Sequence, residues 1–149
     1  MAAVANRRIN GSGFNPESKR IGLASRNVDS SAGVLELHPV FCLKCIEPKW
    51  GLSKCTKDQK VALLTTLHEL SQMTWSQILH APRHGKGSEK IVVSSLKASI
   101  PPQLKDIEDI QWRAFRFFGQ APFVGYRDHT HKGLFHIVWL DINFQLYNH

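Results

Sequence analysis

From Gln111 to the end, the chain is a succession of short runs dense in aromatic and β-branched residues. They span 111–118 (QWRAFRFF), 122–128 (PFVGYRD), 134–141 (LFHIVWLD) and 144–149 (FQLYNH). Such residues suit the pleated, half-buried surface of a strand. The connections between the runs are too short to hold a helix, and connections that short join antiparallel neighbours. The C-terminal region is therefore expected to be a four-stranded meander, and the rest of the chain must supply whatever covers it.

Upstream, residues 35–47 (LELHPVFCLKCIE) are apolar on both parities, as in a strand buried on two sides, and Pro48 ends the run. Thr56-Lys-Asp-Gln59 is a capping box. Val61, Leu64, Leu67 and Leu70 follow at helical spacing, with Leu63 widening the stripe. Thr74-Trp-Ser-Gln77 caps a second, shorter helix that Pro82 closes. Residues 83–89 (RHGKGSE) form a glycine-rich basic loop, residues 90–96 (KIVVSSL) read as a strand, and Pro101-Pro102 breaks the chain before a polar connector. The expected fold is α+β: two N-terminal helices packed on a mainly antiparallel sheet with a C-terminal four-stranded meander.

The 149 residues suit one domain. Residues 1–33, rich in Asn, Ser, Gly and Arg without apolar period, read as a disordered basic arm, and 34–149 as a single α+β domain. No apolar run reaches the ~18 residues of a membrane helix, and the start lacks the apolar stretch of a signal peptide. A cytoplasmic protein without membrane contact is expected. The formal charge of +7 and pI near 9.6 point to an anionic partner: nucleic acid, an anionic surface or an acidic protein. The arm holds five basic against two acidic side chains, a surplus of three within that +7.

The three cysteines, an odd number without an export signal, argue against a disulfide framework. His38, Cys42, Cys45 and Cys55 have the spacing of a zinc site, but a Cys-x2-Cys step in a regular strand points to opposite faces. Buried thiols are the preferred reading. His129, His131 and His136, with Asp128, offer a second and poorer ligand set beside the turn at Lys132-Gly133. No metal and no cofactor are expected. Trp75 and Trp139 fall on apolar faces and should be core; Trp50 should be partly exposed.

Arg127 closes the run Phe-Val-Gly-Tyr-Arg before a hairpin loop, and the chain ends Leu-Tyr147-Asn-His149. With the order strand, helix, helix, antiparallel sheet, these features resemble the RelE/ParE toxin family, several members of which carry an arginine on a middle strand and a histidine or tyrosine at the extreme C-terminus. The chain differs in its longer N-terminal arm and in the extra segment 83–110. The resemblance implies a small endoribonuclease toxin held by an antitoxin or other acidic protein. Cleavage by attack of the 2′-OH needs a base, an acid for the leaving oxygen and a cation for the phosphorane charge. Arg127 and Arg116 are the expected phosphate ligands, and Tyr147 and His149 the proton-transfer pair. His84, Lys86, Lys90 and Arg113 are expected to bind the RNA, and Glu89 to serve as base if its loop folds over the sheet. The alternatives are a non-catalytic nucleic-acid-binding module and a protein-interaction module of phage or mobile-element type.

Overall fold

A computed structural model describes residues 31–149. The disorder expected of the arm concerns residues 1–30, which lie outside the described residues; residues 31–33, assigned to the arm from sequence, belong to a short helix α1, Ser31–Leu35. Strand β1 (Val40–Cys42) follows, then helices α2 (Lys57–Ser71) and α3 (Trp75–His80). Strand β2 is Glu89–Ile91, and after a long irregular segment come β3 (Trp112–Phe118), β4 (Ala121–Arg127) and β5 (Leu134–Leu140). The fold is α+β around one five-stranded mixed sheet of order β1-β5-β4-β3-β2, with β1 parallel to β5 and every other pair antiparallel. No helix among the described residues is long and apolar enough to cross a membrane.

Both capping boxes are made as the sequence requires. Thr56 accepts from the Gln59 amide at 3.2 Å while the Gln59 side chain accepts from the Thr56 amide at 2.8 Å. Thr74 and Gln77 repeat the arrangement at 3.2 and 2.9 Å. The buried face of α2 is rotated from the expected stripe. Leu63, Thr66, Leu67 and Leu70 are buried, whereas Val61 and Leu64 are 56% and 63% exposed.

The sheet is covered on both faces, which is why β4 and β5 carry apolar residues at both parities. On one face, Leu63, Leu67, Leu70, Trp75 and Ile78 from the helices meet Phe115, Phe117, Phe123, Phe135 and Ile137. Phe115 stacks on Phe123 at 5.2 Å and meets Phe135 edge-on at 5.3 Å. On the other face, Trp112, Val124, Tyr126 and Trp139 lie under Leu96, Ile100 and Leu104 of the irregular segment and Leu146 and Tyr147 of the C-terminal tail. Val124 pairs with Trp139 but Gly125 with Ile137, so Val138 is an inserted bulge residue. It lets Ile137 and Leu140 share the helix-side core while Val138 and Trp139 enter the other.

Three expectations are corrected. The strand expected over 35–47 is confined to Val40–Cys42, since Cys45 lies in a turn and a 3-10 turn starts at Pro48. The strand expected over 90–96 becomes β2 plus a 3-10 turn at Val93–Ser95. The fourth meander strand does not form: residues 144–149 contribute only one bridge, Leu96 to Tyr147. The outer edge of β5 is already taken by β1. The Asp141 carboxylate accepts from the amides of Gln145 and Leu146 at 2.8 and 3.1 Å, and Phe144 adopts φ +55°, so the chain turns back across the sheet.

Candidate acid–base site on the loop-covered face

Alternation along β3 points Arg113 to the helix side, with Phe115 and Phe117, and Arg116 to the loop-covered side, with Trp112 and Ala114. Along β4, Arg127 pairs with Phe135, a residue of the helix-side core, and its guanidinium lies 4.4 Å from the Trp75 ring. Tyr147 belongs to the opposite core. The expected catalytic set is therefore divided by the sheet: Arg116, Tyr147 and His149 share one face, and Arg127 is on the other. Two causes act: Arg116 pairs with Pro122, five residues from Arg127, so strand alternation alone puts the two arginines on opposite faces, and the tail, forming no fourth strand, crosses the loop-covered face.

Around Tyr147 the side chains do converge. Asp141, fully buried, accepts from His149 Nε2 at 3.0 Å in addition to its two backbone bonds. The His149 ring lies 4.0 Å from that of Tyr147 and is met edge-on by Phe144 at 5.2 Å. Burial first, then the negative charge of Glu89, pushes the Tyr147 phenol up to about 12, against the opposing pull of Arg116 and Arg83. These groups are thus within electrostatic reach of the phenol. Arg116 donates to the Arg83 carbonyl at 3.0 Å and approaches Glu89 at 3.8 Å, and its buried Nε has no partner. The loop 83–89 does fold against the sheet, but Glu89 is held between Arg83, at 3.2 Å, and Arg116. It is a counter-ion there rather than the free base considered from sequence.

The expected RNA-binding residues do not form one surface. His84 is exposed and accepts from Arg83 Nε at 3.2 Å, while Lys86 pairs with Glu69 of α2. Lys90 and Arg113 are register partners on the helix side, where Arg113 donates to Ser88 Oγ at 2.9 Å.

The zinc arrangement drawn from His38, Cys42, Cys45 and Cys55 is not assembled. Cys55 lies in the helix-side core, Cys45 borders the other, and His38 Nδ1 bonds to the Ser71 carbonyl at 3.1 Å. Among the described residues, no three His, Cys, Asp or Glu side chains are grouped to hold a metal. His136 and Asp128, grouped in the sequence, are joined by Cys45 and Tyr126, which the sequence did not link to them. His136 Nε2 lies 2.9 Å from Asp128 Oδ2, its Nδ1 lies 4.0 Å from Cys45 Sγ, and its ring stacks on Tyr126 at 4.9 Å. Burial pushes the Cys45 thiol and the Tyr126 phenol up, the latter to about 12, so both rest protonated as donors. No spacing signal links Cys45 to the others; the β4–β5 register sets Tyr126 opposite His136, and the β1–β5 register sets Cys42, close in sequence to Cys45, beside it.

Comparison of the chain with family models, curated proteins and solved structures found no match.

Proposed function

We propose that this chain is a toxin-like endoribonuclease whose acid–base group is the tail pair Tyr147 and His149, with Arg116 and Arg83 facing the phosphate. The observation that carries the reading is the Asp141–His149 pair. A fully buried carboxylate, already tied to two backbone amides, holds the His149 imidazole in place beside the Tyr147 ring. The α+β order of β1, α2 and α3 followed by the antiparallel run β2 to β5, with α1 ahead of it and β1 parallel to β5, is compatible with the same reading.

The chemistry follows from the donors. With Asp141 as the acceptor, His149 carries its proton on Nε2, which leaves Nδ1 as the base. Nδ1 takes the 2′-OH proton as that oxygen bonds to phosphorus. The P–O5′ bond breaks, and the leaving oxygen takes a proton from Tyr147, which at about 12 is a phenol at neutral pH. The Arg116 guanidinium opposes the charge of the phosphorane. The products are a 2′,3′-cyclic phosphate and a 5′-hydroxyl. The charge of +7 supports RNA as the polyanionic substrate and an acidic antitoxin-like protein as the partner.

Expression in a host tests the reading. The wild type should arrest growth with loss of RNA, and His149→Ala at equal expression should not. Equal arrest by both proteins would reject His149 as the base.

A further inference from the structure

The helix-side face carries a second group of cations that the proposed reaction does not use. Arg113 stands opposite Gly125 in the β3–β4 register, so Arg127, two residues beyond Gly125, is its diagonal neighbour on the same face. Such positions lie about 7–8 Å apart, within reach of long side chains. Among the described residues neither arginine has a carboxylate partner. Arg113 donates from Nη1 to Ser88 Oγ, and Arg127 donates from Nε and Nη2 to the Lys132 carbonyl at 3.1 and 2.8 Å. Half-buried guanidiniums are ordinarily paired, because desolvation and mutual repulsion both oppose the charge. Burial first, and then Arg113, lowers the affinity of Arg127 for its proton.

The two arginines line an open cavity of about 430 Å³. Lys132 and His129 add to its rim, and Val34 and Leu35 of α1 give it an apolar wall. Two carboxylates also line it. Asp128 is occupied, its Oδ1 by the Thr130 and His131 amides and its Oδ2 by His136, while Asp109 makes no ion pair with either arginine. The remaining free N–H donors of the two guanidiniums, a small cavity and an apolar wall together define the ligand: a phosphate monoester carrying a flat, weakly polar group, the size of one nucleotide. We infer that this cavity is an anion site for a nucleoside monophosphate group, on the sheet face opposite Tyr147 and His149. Trp75, fully buried beneath Arg127, fixes the guanidinium from below.

The same chemistry is offered by a free mononucleotide and by the 5′-phosphorylated end of an RNA, and titration calorimetry separates them. AMP should bind the full chain saturably and at least tenfold more tightly than adenosine. The Nε–H resonances of Arg113 and Arg127 should shift in the nitrogen–proton NMR spectrum as AMP is added. If the source is an RNA end, a 5′-phosphorylated oligonucleotide should outbind its 5′-hydroxyl twin by tenfold or more; equal binding of the twins, with AMP still bound, identifies the free nucleotide. Arg113→Gln and Arg127→Gln should each weaken AMP by at least tenfold. The comparison of AMP with adenosine on the wild type does not depend on those variants folding. Adenosine binding as well as AMP, no saturable AMP binding at millimolar concentration, or shifts that spare both arginines would overturn the site.

Discussion

Asp141 and Asp128 each accept several hydrogen bonds, and they differ in exposure. Asp141 is fully buried and satisfied by two amides and His149. Asp141→Ala strands those donors and frees the tail, so a loss of about 2–4 kcal/mol is expected in chemical denaturation, together with loss of RNA cleavage. An unchanged midpoint would show that the tail is not held by this carboxylate. Asp128 sits well below the usual carboxylate range, because the His131 amide, the His136 ring and the Thr130 amide favour its charged form. A depressed folded value contributes stability that is present above the ordinary carboxylate pKa of about 3.9 and is lost as pH falls below it. The melting temperature of the wild type should therefore drop steeply on acidification below about pH 4, and Asp128→Asn should flatten that drop. Parallel curves for the two proteins would show that the acid sensitivity lies elsewhere.

The capping boxes of α2 and α3 were legible residue by residue, because the Thr-x-x-Gln pattern is a local code. Thr56→Ala should cost about 1 kcal/mol, measured by denaturant midpoint at unchanged slope; no loss would mean that tertiary packing alone sets the start of α2. The stripe on α2 was legible only to within a rotation, since Leu63 and Leu64 are equally apolar and only the sheet decides which is buried. The aromatic runs located β3, β4 and β5 closely, yet residues 144–149, with similar composition, form no strand. Edge occupancy by β1 and the Asp141 turn decided that, and neither is written in the local sequence. The tail residues Tyr147 and His149 were legible as proton-transfer candidates, whereas the face they share with Arg116 instead of Arg127 followed from the turn. Tyr147 is also 3% exposed and Leu146 fully buried, so residues 147–149 are not the dispensable end that their position suggests. Deleting them should destabilise the domain by about 3–5 kcal/mol, as for loss of a large core side chain. Point variants are therefore the cleaner probes of the chemistry.

At the scale of the whole molecule, the sheet separates two groups of side chains. Its loop-covered face gathers Tyr147, His149, Arg116 and the Arg83–Glu89 pair, and its helix side holds Arg113 and, over Trp75, Arg127. The reading rests on the first face performing acid–base chemistry on a phosphodiester. The most direct measurement is the rate of cleavage, and the end groups formed, on a labelled single-stranded RNA with purified wild type, His149→Ala and Tyr147→Phe. The wild type should yield 2′,3′-cyclic phosphate ends, and each substitution should slow cleavage by roughly 10²–10⁴-fold, the usual contribution of a positioned acid or base. Folding of the variants is checked by their melting temperatures. Cleavage at the wild-type rate by folded His149→Ala, or RNA bound by the wild type and left intact, would contradict the assignment.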